Sequence, residues 1–359
     1  MVMCRLILIL LGLTISLSVF ATVLPATHHA LVYEGRVHKN YQQGSVEFNW
    51  PGTAIHTQLV GKSIAISLQG YGDQFDVLVD GQLHRKIVTA STGEAERFVL
   101  FEQAEPGSVL IEVVKRWEHY QSRSKLLHVE VDGRLEGVWE TQPHILFIGD
   151  SISAGFGSES TKRQCDWQEI VDSSNARLAF PYIAAQHLDS TFTQVSYSGL
   201  GLIRNWNGNQ AHHTLVDYVD QLSALYGDNL AYQERFPQLI VLEFGTNDFS
   251  TDPQPHEPWQ SIEEVKLAWE EAMVEFVRSL RSRYPDVAIV VMPRPAYPYD
   301  FIIPATDTAL RQLASEGIDE VYANTFVSPL EGCIWHPTAQ EHQHIASELV
   351  AFIKQHNLL

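Results

Sequence analysis

The sequence predicts two domains, an all-β sandwich followed by an α/β domain built on a parallel sheet. Three observations carry this. Residues 31–133 contain many short runs that alternate polar and apolar side chains, broken by turn residues, with no helical period of useful length. After Gly133, compact apolar runs alternate with helical stretches. The chain has 359 residues, 45% hydrophobic and 19% charged, which is ordinary globular composition with room for two cores.

Met1 to Arg5 give the N-terminus a short positive start. Leu6 to Val19 follow as an apolar run, and Val19-Phe20-Ala21 reads as a small-x-small cleavage site. The run is shorter than the ~20 residues a spanning helix needs. Residues 1–21 are therefore expected to be a cleaved signal peptide rather than an anchor, and the product secreted or periplasmic.

The β-sandwich is placed at residues 25–137. The runs 63–68 and 75–79 alternate strictly, and the second is followed by the turn pair Asp80-Gly81. Further strands are expected at 97–101, 109–115 and 127–131, with Pro51-Gly52 and Pro106-Gly107 as punctuation. The α/β domain is placed at 143–359, with the boundary in 135–143. Apolar runs at 145–148, 239–244 and 288–292, with another around Val195, read as buried parallel strands. Helices are expected at 179–188, 218–225, 262–283 and 338–353. Glu263, Glu264, Glu270 and Glu271 recur at helical spacing and read as a solvated face.

A formal net charge of −19, with no Lys/Arg-rich run, argues against nucleic acid and anionic membrane surfaces as partners. Nothing in the sequence calls for an oligomer, so a monomer is expected. Past the signal, two cysteines remain, Cys165 and Cys333. In an oxidising compartment an even pair indicates one disulfide; two separate buried thiols are the alternative.

In a parallel sheet, ligands sit at the carboxyl ends of the strands, and the chemistry-bearing residues fall there. Gly149-Asp150-Ser151 follows the first strand of the domain. A serine hydroxyl is a weak nucleophile that needs a base and a stabilised oxyanion. Gly201 can bring a backbone N–H close to a substrate. Asn247, in Gly245-Thr246-Asn247-Asp248, can donate a side-chain amide N–H. With the Ser151 N–H these form a candidate three-donor oxyanion hole. His336 lies before Pro337 and the last helix, at its mouth, and is the candidate base. Each feature has a structural alternative. Asp or Ser before a helix is a common N-cap, Gly-Thr-Asn-Asp is at home in a turn, and one histidine near a helix start can be structural. Their joint occurrence in the order Ser, Gly, Asn, His favours catalysis. Asp150 and Asp248 are expected to organise the turns around Ser151 and Asn247.

The blocks Gly149-Asp150-Ser151, Gly199-Leu200-Gly201, Gly245-Thr246-Asn247-Asp248 and His336-Pro337 resemble the SGNH (GDSL-type) hydrolases, whose α/β domain is flavodoxin-like. Phe48-Asn49-Trp50-Pro51-Gly52, Val79-Asp80-Gly81 and Lys115-Arg116-Trp117-Glu118 resemble the jelly-roll domain that precedes it in carbohydrate esterase family 2. So do the run from Ser196 to Asn205 and Gly332-Cys333-Ile334-Trp335-His336-Pro337. The resemblance covers nearly the whole chain after residue 21. It implies deacetylation of plant polysaccharides or oligosaccharides such as xylan and glucomannan, without a cofactor.

The sequence departs from the pattern at one point. Many SGNH enzymes carry an Asp three residues before the histidine, and family 2 members often carry one two residues before it. Here those positions are Cys333 and Ile334. A Ser–His dyad follows, with a backbone carbonyl accepting the imidazole N–H. By loop adjacency and by the resemblance, a Cys165–Cys333 bridge would tie the insertion after Ser151 to the histidine loop. Trp335 and Trp206 flank the catalytic segments and could stack on sugar rings or simply pack. His336, His342 and His344 could suggest a metal, but they lie on a helix and its preceding loop with no acid or cysteine at ligand spacing that the esterase reading leaves unused, so no metal site is expected. Two other functions remain open: a lipase- or thioesterase-type SGNH hydrolase acting on other acyl esters, and a non-catalytic carbohydrate-binding protein.

Overall fold

The structure is a computed structural model that describes residues 21–138 and 141–359. The expected signal peptide therefore lies, except for Ala21, outside the described residues.

The N-terminal domain contains β1 (Thr22–Pro25), β2 (Val32–Glu34), β3 (His38–Asn40), β4 (Ser45–Phe48), β5 (Ala54–Gln69), β6 (Gln74–Val79), β7 (Gln82–Val88), β8 (Ala95–Lys115) and β9 (Ser124–Glu136). They form one antiparallel sheet in the order β3-β4-β9-β5-β8-β6-β7, with β1 on β9 and β2 on β5. Asp80 and Gly81 both take positive φ and close the two-residue β6–β7 hairpin.

The sheet folds over itself. Phe48 on β4 and Phe75 on β6 are four strand steps apart, about 19 Å in a flat sheet, yet their ring centroids lie 6.1 Å apart. The fold occurs where β5 breaks register between Gly61 and Ser63. Before the break β5 buries odd positions, Ile55 and Leu59; after it, even positions, Ile64, Ile66 and Leu68, and all five join one core. A one-residue bulge is what such a parity change requires. Gly61 and Gly133 face each other there. A Cβ on Gly61 would sit 2.2 Å from the Asp132 carbonyl oxygen, and one on Gly133 2.4 Å from that of Val60. The two strands expected at 97–101 and 109–115 are one strand, β8. Pro106 is tolerated because β8 residues 103–106 have no ladder partner on β5.

The second domain contains β10 (His144–Gly149), α1 (Ser151–Ala154), α2 (Trp167–Ser173), α3 (Phe180–His187), β11 (Thr191–Ser196), β12 (Leu239–Glu243), α4 (Ile262–Arg283), β13 (Ala288–Val291), α5 (Ile302–Ser315), β14 (Val321–Ala323) and α6 (Ala339–His356). The sheet is parallel, in the order β11-β10-β12-β13-β14, which is the flavodoxin-like order. Its strands are apolar on both faces because helices cover both. α4 starts at Ser261, whose side chain accepts from the Glu264 N–H. α6 starts with a Thr338–Glu341 capping box.

The helix expected at 218–225 does not form. A short 3₁₀ turn (Leu215–Tyr218) is followed by irregular backbone. The N-terminal domain takes its polar groups instead. Arg36 donates to the Val219 and Gln221 carbonyls at 2.6 and 3.0 Å, Trp50 Nε1 donates to Gln221 O at 3.1 Å, and the Ala224 N–H donates to the Asn49 side chain at 2.9 Å. Tertiary contacts override local propensity. Two helices escaped the sequence reading: α2, with its Asp166–Glu169 capping box, and α5, with Ile302, Ala305, Ala309 and Leu313 facing inward.

The domains interlock. Trp50 is buried in the second domain's own hydrophobic core. Asp76 on β6 accepts from Arg116, Arg177 and Asn175 at 2.8, 2.8 and 3.0 Å. Glu118 accepts from the Ser198 N–H at 3.0 Å.

Candidate active site

Ser151 opens α1 directly after β10, Gly201 lies beyond β11, Asn247 beyond β12 and His336 beyond β14. All four therefore sit at the carboxyl end of the sheet, and β10 and β12 flank the point where the strand order reverses.

The Ser151 hydroxyl lies 2.7 Å from His336 Nε2. On the other side of the ring, Nδ1 faces the Cys333 and Ile334 carbonyl oxygens at 3.0 and 2.9 Å. Carbonyls only accept, so Nδ1 carries the proton and Nε2 is left to accept from Ser151. Burial pushes the His336 imidazole down to about 4; the two carbonyls oppose this and the Arg294 charge adds to it. The ring is neutral at neutral pH and can take a proton from the serine. Phe156 lies against it, with ring centroids 4.5 Å apart.

The histidine turn has unusual backbone. Ile334 and Trp335 both have positive φ, 48° and 55°, at about 1–2 kcal/mol each for an L-residue. This twist aims both carbonyls at the ring. It is held by the Ile334 N–H donating to Arg163 O, the Gly332 N–H donating to His336 O, and a Cys165–Cys333 disulfide with Cα atoms 5.5 Å apart. The bridge joins the insertion after Ser151 to the histidine loop.

Asp150 caps α1, its carboxylate accepting from the Ile152 N–H at 2.9 Å. The Ser151 N–H, first in its helix, has no carbonyl within the helix to bond and is available as an oxyanion donor. The other two expected donors already hold acceptors. The Gly201 N–H donates to the Asn205 side chain at 3.2 Å, and the Asn247 amide donates to Leu200 O at 2.7 Å and to Asp150 at 3.3 Å. An oxyanion would have to share or replace these bonds. Asp248 organises a different segment from the one expected. Its carboxylate accepts from the Leu202, Ile203 and Arg204 N–H groups at 3.1, 2.9 and 3.0 Å, so it shapes the Gly201 loop from outside. A Cβ at Gly201 would lie 2.2 Å from Arg204 O and 2.4 Å from the Asp248 carboxylate, which is why that position is glycine. Burial pushes Asp248 up to about 6 against those three bonds.

Trp335 and Trp206 are 60% and 54% exposed, so their rings are free to meet a ligand rather than being consumed by packing. His342 is buried, stacked on Phe180 and bonded by the Phe180 N–H, while His344 faces solvent beside Glu348. Among the described residues no group of three or more metal-ligating side chains converges, and no helix is long and apolar enough to cross a membrane.

The sequence reading missed Glu243 and Arg294. Glu243 is fully enclosed beside Asp150. Arg294 reaches the Thr246 hydroxyl at 3.2 Å and acts by charge on His336. Glu243 left one signal, a lone carboxylate near the carboxyl end of the apolar run 239–244.

Comparison with known proteins finds relatives for both domains. Residues 33–136 match the model described as "Carbohydrate esterase 2 N-terminal", and residues 147–348 match "GDSL-like Lipase/Acylhydrolase family". The chain is 27% identical over 319 residues to an acetylxylan esterase / glucomannan deacetylase of Cellvibrio japonicus, covering 88% of this chain and 87% of that one. It is 24% identical to the cellulase/esterase CelE of Acetivibrio thermocellus, covering 90% of this chain and 39% of that larger protein. Among solved structures, a carbohydrate esterase with divergent catalytic and non-catalytic binding functions in its active site superposes with a TM-score of 0.81, at 25% identity, over 90% of this chain and 97% of that one.

Proposed function

This chain belongs to the GDSL-like lipase/acylhydrolase family, and from that membership we propose that it is a carboxylic ester hydrolase removing O-acetyl groups from plant polysaccharides or oligosaccharides such as xylan and glucomannan. The observation that carries the reaction class is the 2.7 Å contact between Ser151 and a His336 ring whose proton is fixed on the far nitrogen. The acetyl specificity is supported by relatives of that name aligned along both domains.

In this reading Ser151 Oγ attacks the acetyl carbonyl carbon as its proton passes to His336 Nε2. The carbonyl oxygen gains charge and is met by the Ser151 N–H, the Gly201 N–H and the Asn247 amide. Collapse breaks the bond to the sugar oxygen, which takes the proton from His336 and leaves as a free hydroxyl. Water, deprotonated by the same nitrogen, then attacks acetyl-Ser151; the acyl–Oγ bond breaks, Oγ takes the proton back from Nε2, and acetate leaves. The Cys333 and Ile334 carbonyls hold the imidazolium in place; they carry less charge than a carboxylate would, so its stabilisation is weaker. Trp335 and Trp206 offer aromatic faces for the sugar chain. Residues 1–21 act as an export signal, which brings the enzyme to an extracellular polymer.

Acetate release from acetylated xylan and acetylated glucomannan, with wild type beside Ser151→Ala and His336→Ala, tests this. Release by wild type only is expected. Faster cleavage of a nitrophenyl octanoate than of the acetate would redirect the assignment to longer acyl chains. No release of any acyl group would leave a binding protein.

A further inference from the structure

Glu243 ends β12 directly beside Gly149, and both its side chain and that of Asp150 are buried. The Asp150 N–H donates to the Glu243 backbone carbonyl at 3.2 Å, and the two buried carboxyl groups accept from adjacent backbone N–H groups of one turn. The N–H groups that follow Ser151 are divided between them. That of Ile152 goes to Asp150 at 2.9 Å, and that of Ser153 to Glu243 at 3.2 Å. Asp150 receives a further bond from the Asn247 amide at 3.3 Å.

Two carboxylates held on adjacent N–H groups of one turn and out of water do not both ionise, so one of them keeps a proton. Asp150 is the better supplied with donors, so the proton belongs to Glu243. The other charged groups facing the pair do not alter this. Arg294 acts on the pair through its charge and donates to Thr246 and to the Pro295 carbonyl. The Asp248 charge opposes ionisation of Asp150. Burial holds both carboxyls above their ordinary range, Glu243 well above it.

We propose that Glu243 is a positioning residue that shares one proton with Asp150, so that the turn carrying Ser151 and the amide of Asn247 is held under a single negative charge. The proposal takes Ser151 as nucleophile, as in the preceding reading. Asp150 is the common acceptor for the Ser151 turn and for Asn247, and Glu243 fixes where that acceptor points. Loss of the shared proton places two charges beneath an oxyanion that must itself become negative, which raises the barrier without touching substrate binding.

Glu243→Gln and Glu243→Ala separate the parts of this idea. A glutamine amide can donate to Asp150 while its oxygen accepts from Ser153, so it mimics the protonated acid and cannot lose the proton. With 4-nitrophenyl acetate, wild type is expected to lose kcat on the alkaline side, and Glu243→Gln to keep kcat within about threefold without that decline. Glu243→Ala is expected to lower kcat about tenfold or more with KM little changed. Infrared difference spectra of wild type against Glu243→Gln at mildly alkaline pH should show a protonated carboxyl in wild type alone. Identical alkaline limbs, an unaltered kcat in Glu243→Ala, or no protonated carboxyl band would overturn the proposal. If Glu243→Ala does not fold, the glutamine variant and the spectra decide. If wild type hydrolyses no ester, the proposed function falls, and the carboxyl band alone judges whether Glu243 holds the proton.

Discussion

The Nδ1–H of His336 donates to the backbone carbonyl of Cys333 at 3.0 Å, while the Cys333 side chain is committed to a disulfide with Cys165. One residue thus orients the imidazole through its main chain and anchors the loop through its side chain. No carboxylate raises the basicity of the ring, and burial lowers it to about 4. The base must be unprotonated to work, so kcat/KM should rise with pH through about 4 and be level by neutrality. A pH–rate profile of the free enzyme reads this directly; an acid limb near the ordinary 6.5 would contradict it.

Cutting the tie to the insertion should loosen the turn that aims those carbonyls. Cys165→Ser opens a link across 168 residues of chain and is expected to cost about 2–4 kcal/mol of stability. It should also lower kcat more than it raises KM, because Ile334 and Trp335 lose the anchor that holds their left-handed backbone. Thermal melts beside steady-state kinetics, with and without reductant on the wild type, check both halves.

Asn247→Ala removes a donor expected to meet the oxyanion and should lower kcat by about 10²–10³-fold with little change in KM. Gly201→Ala should do at least as much damage for a different reason: its Cβ would collide with Arg204 O and Asp248. The two mechanisms separate in thermal melts. Gly201→Ala should lower the melting temperature, whereas Asn247→Ala should do so less.

Acid should destabilise the fold. Burial lowers His144 to about 3, His336 to about 4 and His342 to about 3. Below about 6.5 the unfolded chain binds protons at these three sites that the native state refuses, so stability falls with pH until the native values are reached. His56 has the opposite sign. Glu112 and Glu34 outweigh its burial and raise it to about 10, so its contribution is complete below about 6.5 and fades as pH rises through 10. Melting temperature measured across pH should peak near neutrality and fall on both sides.

What the sequence made legible was the strand-end placement of Ser151, Gly201, Asn247 and His336, because strand termini in a parallel sheet are fixed by short apolar runs. The 218–225 segment misled because its helix-like pattern was answered by Arg36, Trp50 and Asn49 from the other domain, and long-range contacts leave no local trace. Glu243 was hidden for a related reason. It reads as a strand residue, and only the β10–β12 register brings its carboxyl against Asp150. The left-handed backbone at Ile334 could not be foreseen at all, since a β-branched side chain argues against it.

Trp50 belongs by chain order to the β domain and by packing to the catalytic core, where it meets Tyr197 at 6.5 Å between ring centroids. Modules that evolution shuffles freely meet through polar, separable faces. Here an indole has been lent across the seam. Excising residues 143–359 would leave a socket open to water beneath the segment that supplies Gly201, so the two halves should be inherited, transplanted and lost only as a pair.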